Sequence, residues 1–137
     1  MFRILIVDDE QPVRALVSRL LSAKDLVIEE AAGAEEAMRC LATTTPDVAV
    51  IDVHMPGANG LWLADRIRNL SPATAVILLT GDEEVPAVES LRPGITAYLL
   101  KPPHRSELVR AVDDAINWSS SRPSRHRSHL LHSGAGQ

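Results

Sequence analysis

Five polar side chains of this 137-residue chain stand at the ends of short apolar runs: Asp8, Asp9, Asp52, Thr80 and Lys101. Carboxylates with open coordination positions suit Mg²⁺, a hydroxyl can bond a phosphoryl oxygen, and an ammonium adds a fixed positive charge. A carboxylate beside such cations can attack a phosphoryl group, because they neutralise the charge that develops in the transition state. These residue types therefore indicate an aspartyl phosphate site, provided that the fold brings them together.

The apolar runs predict strands that are buried on both faces. They are short and nearly continuous in Val, Ile and Leu, which is typical of parallel strands covered by helices. Longer segments of helical period separate them, so the order of elements predicts an α/β protein with a parallel sheet and crossover helices. The predicted strands are Phe2–Val7, Leu26–Ile28 with its continuation, Val48–Ile51, Ala75–Leu79 and Ala97–Leu100.

Amphipathic stripes predict four helices, and a proline marks a fifth. Pro12 stands in the first turn of the first helix, where its missing N–H is not needed. Pro86 interrupts "DEEVPAVESLRPG", so the fourth helix is expected to begin near Pro86 and to be short. The other stripes are Val13, Leu16, Val17, Leu20 and Leu21; Ala34, Ala37, Met38 and Leu41; Leu63, Ile67 and Leu70; and Leu108, Val112, Ala115 and Ile116.

A parallel sheet would bring the chemistry-bearing residues to one edge. The carboxyl ends of strands joined by right-handed crossovers lie on the same side, and ligands bind beyond them. Carboxylates 4 Å apart repel each other by about 4 kcal/mol per pair at an effective dielectric constant near 20, so the cluster needs positive charge. We assign Asp52 as the nucleophile, Asp8 and Asp9 to Mg²⁺, and Thr80 and Lys101 to phosphoryl oxygens. Taken alone, Asp8 and Asp9 could instead cap the first helix.

Composition predicts a single cytoplasmic domain with a basic tail. The formal charge of −4 argues against nucleic acid as the main partner, and the single cysteine, Cys40, is typical of an intracellular chain. The apolar stretch in the opening "MFRILIVDDE" is too short for the hydrophobic region of a signal peptide. No segment approaches the roughly 20 apolar residues of a membrane span. Residues 1–118 are expected to form the domain. Residues 119–137, rich in Ser, Arg and His, are expected to be a disordered tail.

Four motifs, in order, resemble the receiver domain of response regulators, of the CheY-like type. They are "VDDE", "IDVHMPGANG", "LLTGD" and "AYLLKP", and the resemblance covers about residues 1–118. It implies a flavodoxin-like, doubly wound sheet of five parallel strands in the order 2-1-3-4-5, with five helices. It also implies a cis peptide bond between Lys101 and Pro102.

The resemblance implies a role in two-component phosphorelay signalling. A histidine kinase or phosphotransfer protein would donate a phosphoryl group to Asp52. Mg²⁺, or Mn²⁺, would be bound by Asp9, Asp52 and the main-chain carbonyl of His54, with Asp8 assisting through water. The domain itself would not be a turnover enzyme, and neither a membrane nor a nucleic acid would be a direct partner.

The resemblance further implies a switch. Thr80 would move toward the phosphate and Tyr98 would turn inward, reshaping the face of the fourth helix, fifth strand and fifth helix. That face would then act on a protein partner, on an output domain outside this chain, or in a phosphorylation-dependent homodimer. Tyr98 could equally be a packed strand residue. Gly81, where the family often has Ala, and the short helix after Pro86 depart from the family pattern.

Two further positions are expected to set the lifetime of the phosphate. His54 and Asp82 lie two residues beyond Asp52 and Thr80, at places that tune phosphate loss in the family. We predict that replacing either residue changes the phosphate lifetime more than the fold. Equal dephosphorylation rates in His54→Ala, Asp82→Ala and the parent would contradict this.

Two alternative functions remain open at this stage. A Mg²⁺-dependent phosphohydrolase would also pass through an aspartyl phosphate, although such enzymes commonly carry a second acid at the place of His54. A degenerate receiver would serve for docking alone, which the intact acid and lysine set disfavours.

Trp62 lies about a quarter turn off the third helical stripe, so it is either an anchor for a partner or a singly exposed aromatic.

Overall fold

The computed structural model of the chain describes residues 1–22, 25–81 and 93–122. Five strands, as the apolar runs predict, and four helices lie in these ranges. The elements are β1 (Phe2–Val7), α1 (Gln11–Leu20), β2 (Leu26–Ala31), α2 (Ala34–Thr43), β3 (Val48–Asp52), α3 (Gly60–Leu70), β4 (Ala75–Thr80), β5 (Ile95–Leu100) and α4 (Arg105–Ser120).

The strands form one parallel sheet in the order β2-β1-β3-β4-β5, which confirms the predicted α/β fold and strand order. The register decides what lies at the edge of the sheet. Val7 of β1 pairs with Ile51 of β3, so Asp8 and Asp52 come next on neighbouring strands. Thr80 of β4 pairs with Leu100 of β5, so Lys101 follows beside it. The register of the strands therefore brings their carboxyl ends together, as predicted.

Helices cover both faces of the sheet and divide the core into two layers. On one face, Val17 of α1 and Leu108 and Val112 of α4 pack against Ile4 and Ile6 of β1. On the other face, Ala37 of α2 and Leu63 and Ile67 of α3 pack against Leu5 and Val7. The central strands are buried on both sides, which explains why their sequences are apolar without alternation.

Some boundaries differ from the sequence predictions. β2 continues through Glu29 and Glu30 to Ala31, which pairs with Val7 of β1, and on this edge strand the two acids form ion pairs with Arg3 and Arg14. Leu70 was placed in a core stripe but is 45% exposed, since it is the last residue of α3. α4, which is the predicted fifth helix, extends to Ser120, two residues past the expected end of the domain, and Ser119 is buried.

Other predictions fall outside the described ranges. The helix expected near Pro86 and the residue Asp82 lie there, as do residues 123–137 of the predicted tail. Within the described ranges, every helix is too short or too polar to cross a bilayer.

Candidate functional site

The carboxyl-end edge of the sheet carries polar side chains that are almost completely buried. The exposed fraction is 2% for Asp8, 3% for Asp52 and 0% for Thr80. Each is held there by its strand, because β1 ends one residue before Asp8 while β3 and β4 end at Asp52 and Thr80. Buried carboxylates are costly unless they are paired, so the partners of these acids define the site.

Lys101 joins the two buried carboxylates. Its Nζ lies 2.8 Å from Oδ2 of Asp8 and 3.2 Å from Oδ1 of Asp52. The lysine side chain is itself largely buried, and its own N–H donates to the carbonyl of Thr80 over 2.7 Å. The ammonium of the residue that follows β5 is thus shared by the acid that follows β1 and the acid that ends β3. The sequence prediction that Asp8, Asp52 and Lys101 meet agrees with this geometry.

Asp8 is fixed at its four polar atoms. Its N–H donates to the carbonyl of Ala31 over 3.1 Å, and its Oδ1 accepts from the N–H of Glu10 over 2.9 Å. Its carbonyl accepts from Nη1 of Arg14 over 2.7 Å, while Oδ2 faces Lys101. The side chain is therefore part of the turn between β1 and α1 as well as part of the site.

Asp52 has an unusually weak acid group. Burial is the largest cause, and the charge of Asp8 adds to it, so the pKa of Asp52 rises from 3.8 to about 6. Lys101 and the N–H of His54, which donates to Oδ1 over 3.3 Å, partly offset the rise. The Asp52 carboxylate is thus less favourable here than in water. It gains from any further positive charge brought to it.

Lys101 stays protonated in this setting. Burial lowers the pKa of Lys101, but hydrogen bonds and charge interactions with Asp8 and Asp52 outweigh burial and leave its pKa raised. The site therefore keeps a permanent cation beside two acids. Such an arrangement can hold and neutralise a negatively charged group, as phosphoryl transfer requires.

An acid cluster suited to a divalent cation lies at the end of β1. The carboxylates of Asp8, Asp9 and Glu10 each place an oxygen within 4.8 Å of the other two. Hard oxygen donors with partly exposed positions are what Mg²⁺ prefers, so these residues fit the ion expected from the sequence. The predicted ligand set was Asp8, Asp9, Asp52 and the carbonyl of His54. Glu10, which also lies 3.5 Å from Nζ of Lys101, was not predicted.

The loop after Asp52 brings α3 close to the end of β3. Asn59 caps α3 by accepting a hydrogen bond from the N–H of Trp62 over 2.9 Å, and the N–H of Gly60 donates to Val53 over 2.9 Å. A Cβ on Gly60 would collide with the carbonyl oxygen of Asp52 and lie 2.9 Å from Cα of Val53. The "MPGANG" turn therefore needs glycine where the helix touches the strand that carries Asp52.

The remaining predicted positions lie near the site or on the adjoining surface. His54 is exposed in the loop after Asp52, and Tyr98 is half-buried on β5 opposite Leu78. The predicted cis peptide bond between Lys101 and Pro102 is confirmed. Trp62 is 44% exposed, which agrees with its position off the helical stripe. Its ring centroid lies 5.6 Å from the guanidinium carbon of Arg66.

Arg14 is a contact that sequence reasoning missed. It stands one turn into α1 and reaches back to the carbonyl of Asp8 and, over 3.3 Å, to Glu30 of β2. An arginine four residues after Glu10 in a predicted helix points back toward the preceding turn, which was the available signal. Arg14 lies outside the apolar stripe of the first helix, so the helical pattern did not indicate that role.

Residues 4–113 match the family described as response regulator receiver domain. The chain therefore belongs to this family, whose members are typically non-enzymatic signalling modules of two-component systems.

Relatives of known name carry such a domain within longer proteins. The chain is 35% identical over 125 residues to the positive alginate biosynthesis regulatory protein of Pseudomonas aeruginosa, covering 89% of this chain and 48% of that protein. It is also 35% identical over 113 residues to the DNA-binding transcriptional regulator NtrC of Klebsiella pneumoniae, covering 82% of this chain and 24% of that regulator. The chain thus spans half or less of the length of these relatives.

Solved structures of receiver domains superimpose closely. The signal receiver domain of an HD domain-containing protein from Pseudomonas fluorescens has a TM-score of 0.82 and 31% identity, covering 88% of this chain and 98% of that one. The response regulator TrrA from Thermotoga maritima, in complex with Mg²⁺ and BeF, has a TM-score of 0.75 and 31% identity, covering 84% and 99%.

Proposed function

We propose that Asp52 accepts a phosphoryl group from the phosphohistidine of a sensor kinase or phosphotransfer protein. The observation that carries this proposal is the buried pair of carboxylates from β1 and β3 that share the ammonium of Lys101. A buried acid joined to a neutral partner would serve the fold alone. Here one carboxylate ends a strand beside a fixed cation, with further acids at the next strand end.

The transfer step assigns a role to each group. An oxygen of Asp52 attacks phosphorus, the bond from phosphorus to the donor imidazole nitrogen breaks, and that nitrogen keeps the electron pair and takes up a proton. Lys101 then exchanges part of its contact with Asp52 for a phosphoryl oxygen, and the Thr80 hydroxyl donates to another. Mg²⁺, or Mn²⁺, held by Asp8, Asp9, Asp52 and the carbonyl of His54, would supply the positive charge that balances the extra phosphoryl charge. TrrA, crystallised with Mg²⁺ and BeF, supports this assignment by similarity.

Asp52 must be ionised to attack. Its raised pKa of about 6 leaves a tenth or so of the carboxyl groups protonated near pH 7, and added positive charge reduces that fraction further. Free Asp52 therefore gains from a bound cation, and that cation, together with Lys101, would also offset the negative charge that phosphorylation adds.

The proposed output is a change of surface. Thr80 would move toward the phosphate, and Tyr98 of β5 would turn inward and alter the face that includes β5 and α4. Phosphorylation would favour one of two packings that the chain already samples. The recipient would be a protein effector, an output domain outside this chain, or a second copy. His54 and Asp82 would set how long the phosphate lasts, and a cytoplasmic location is part of the same proposal.

The experiment is a mass measurement on three proteins. The parent, Asp52→Asn and Asp47→Asn are each incubated with phosphoramidate and Mg²⁺, and their intact masses are compared. Asp47 is the matched control because it precedes β3 while Asp52 ends it. A gain of about 80 Da, the mass of one phosphoryl group, is expected in the parent and in Asp47→Asn and not in Asp52→Asn.

Two results would overturn the proposal. The first is a parent that gains no mass, and the second is an Asp52→Asn variant that gains as much as the parent. Release of phosphate from small phosphate esters over many turnovers would instead support the hydrolase alternative.

A further inference from the structure

Arg14 connects three elements at the acid-bearing end of the sheet. From the first turn of α1, its Nη1 donates to the carbonyl of Asp8 over 2.7 Å, and its Nε donates to Oε1 of Glu30 over 3.3 Å. Glu30 lies near the end of β2, where it pairs with Ile6 of β1. The Arg14 side chain is 15% exposed, so the guanidinium is held between strand ends rather than in solvent.

The contact acts on the turn that presents the acids. Residues 8–10 connect β1 to α1, and their geometry decides where the three carboxylates point. Asp8 Oδ1 is committed to the N–H of Glu10, so rotating the Asp8 peptide also moves the carboxylate. Arg14 is the side chain that fixes that peptide, because it binds the Asp8 carbonyl from the helix that follows.

A neighbouring arginine shows what an ordinary pair looks like on the same two strands. Arg3 of β1 faces Glu29 of β2 over 3.8 Å, with the Arg3 side chain 46% exposed. That pair has the geometry of a weak surface ion pair, whose net contribution is small. Arg14 differs because it is largely buried and binds a main-chain carbonyl of a site residue over a short distance. A planar guanidinium can hold both partners at fixed angles, which a lysine does less well.

We propose that Arg14, anchored by Glu30, is a positioning residue that sets the orientation of Asp8 and Asp9 toward the divalent cation. This inference rests on the proposed function, since it concerns the same site. Arg14 acts through the main chain of Asp8, whose carbonyl it binds.

The test compares two opposite effects on Mg²⁺ affinity, one from the charge of Arg14 and one from its positioning role. Replacing Arg14 by Met removes a positive charge near the acids, which by charge alone would tighten Mg²⁺ binding. Loss of a residue that orients metal ligands typically weakens metal binding, and we expect about tenfold weaker binding in Arg14→Met. Mg²⁺ affinity is measured by calorimetry on the unphosphorylated protein. Arg14→Lys, which keeps the charge, should lie between Arg14→Met and the parent.

Controls separate positioning from stability. Arg3→Met removes the comparison pair and should leave Mg²⁺ affinity at the parental value. The phosphorylation rate with phosphoramidate should require more Mg²⁺ for half-saturation in Arg14→Met, whereas a purely structural role would lower the unfolding temperature without that shift. If Arg14→Met does not fold, Mg²⁺ affinity is compared between Arg14→Lys and the parent instead.

Equal or tighter Mg²⁺ binding in Arg14→Met, or parental affinity in Arg14→Lys when only that variant folds, overturns the inference. This failure is distinct from failure of the proposed function. A parent that gains no phosphoryl mass would refute phosphoacceptance, while the calorimetry would still decide the role of Arg14.

Discussion

Polar groups lie at both ends of the parallel strands, but they have different roles at the amino-end edge, where the strands begin, and at the carboxyl-end edge, where the strands finish. At the amino-end edge, the Thr74 hydroxyl donates to the carbonyl of Pro46 over 2.6 Å and bonds to Ser71, and Asp47 accepts from the N–H of Arg3 over 2.8 Å. At the carboxyl-end edge, Asp8 and Asp52 share an ammonium instead.

The difference lies in what the side chains neutralise. Polar atoms at the amino-end edge satisfy main-chain groups or each other, and they complete the turns that start β3 and β4. The carboxyl-end edge places Asp8, Glu10 and Asp52 beside one lysine, so negative charge remains after pairing. Asp8 and Asp52 are buried with one ammonium between them, and such uncompensated negative charge indicates a ligand of the opposite sign. Substitutions at the carboxyl-end edge should therefore change both the stability and the labelling of Asp52, whereas substitutions at the amino-end edge should change the stability alone.

The largest effect is expected for Lys101→Met. Removing the shared ammonium leaves two buried carboxylates without their cation, which should lower the free energy of unfolding by about 3 kcal/mol at pH 8. Phosphorylation by phosphoramidate should slow by about 100-fold or more, because a preorganised positive group facing the phosphoryl oxygens is lost. Urea unfolding and intact mass against time check the two effects. A variant that is labelled at the parental rate would contradict the assignment.

Gly60→Ala tests the packing behind the carboxyl-end edge. The added methyl group would collide with the main chain of Asp52 and Val53, which cannot rotate away as a side chain could. We expect a loss of about 3 kcal/mol in unfolding free energy, as for severe overpacking, together with slower labelling of Asp52. Gly33→Ala is the control, because a Cβ there meets no atom within 4 Å. Equal losses of unfolding free energy in Gly60→Ala and Gly33→Ala would show that the contact of residue 60 with the main chain of β3 does not cause the destabilisation.

Asp52→Asn should reveal the raised pKa through stability. With a folded-state pKa of about 6 against 3.8, folded Asp52 binds more protons than unfolded Asp52 in this pH window, so its ionisation destabilises the fold as pH rises. The unfolding free energy of Asp52→Asn, relative to the parent, should therefore increase by about 2 kcal/mol from pH 4 to pH 8 without metal. Urea unfolding with a chelator present measures it. A relative stability independent of pH would mean that Asp52 titrates normally.

The smallest effect is expected at the opposite edge. Thr74→Val removes a buried hydroxyl that donates to the carbonyl of Pro46 and bonds to the Ser71 hydroxyl, and it should reduce the unfolding free energy by about 1 kcal/mol. Labelling of Asp52 by phosphoramidate should stay at the parental rate. A marked change in labelling would show that the two edges are coupled, and the contrast drawn between them would then be wrong.

The strand ends could be predicted from the sequence, because the physics that places them is local. Apolar runs bounded by Asp8, Asp52 and Lys101 give buried strands, and parallel crossovers bring their carboxyl ends to one side. The strand order came from the resemblance to receiver domains. It decides which acids become neighbours, since Val7 pairs with Ile51.

The contacts around those ends could not be predicted in the same way. Arg14 and Glu10 reach the site through side-chain directions at a turn, which depend on packing rather than on spacing. β2 extends through Glu29 and Glu30 because its main chain pairs with β1 as far as Val7, and the apolar pattern of β2 alone does not indicate that pairing. The roles of Thr80, Tyr98, His54 and Asp82 remain predictions, as does the nature of residues 119–137.

The position of Lys101 late in the chain has a consequence for biosynthesis. The ribosome delivers Asp8 and Asp52 well before the last strand exists, so an emerging polypeptide carries the acids without the ammonium that joins them. The strand bearing Lys101 must dock beside β4 before a carboxylate and its counter-ion can meet. An incomplete chain therefore lacks the cation of the site, and the charge pairing of Asp8 and Asp52 forms only after the fifth strand has been made and docked.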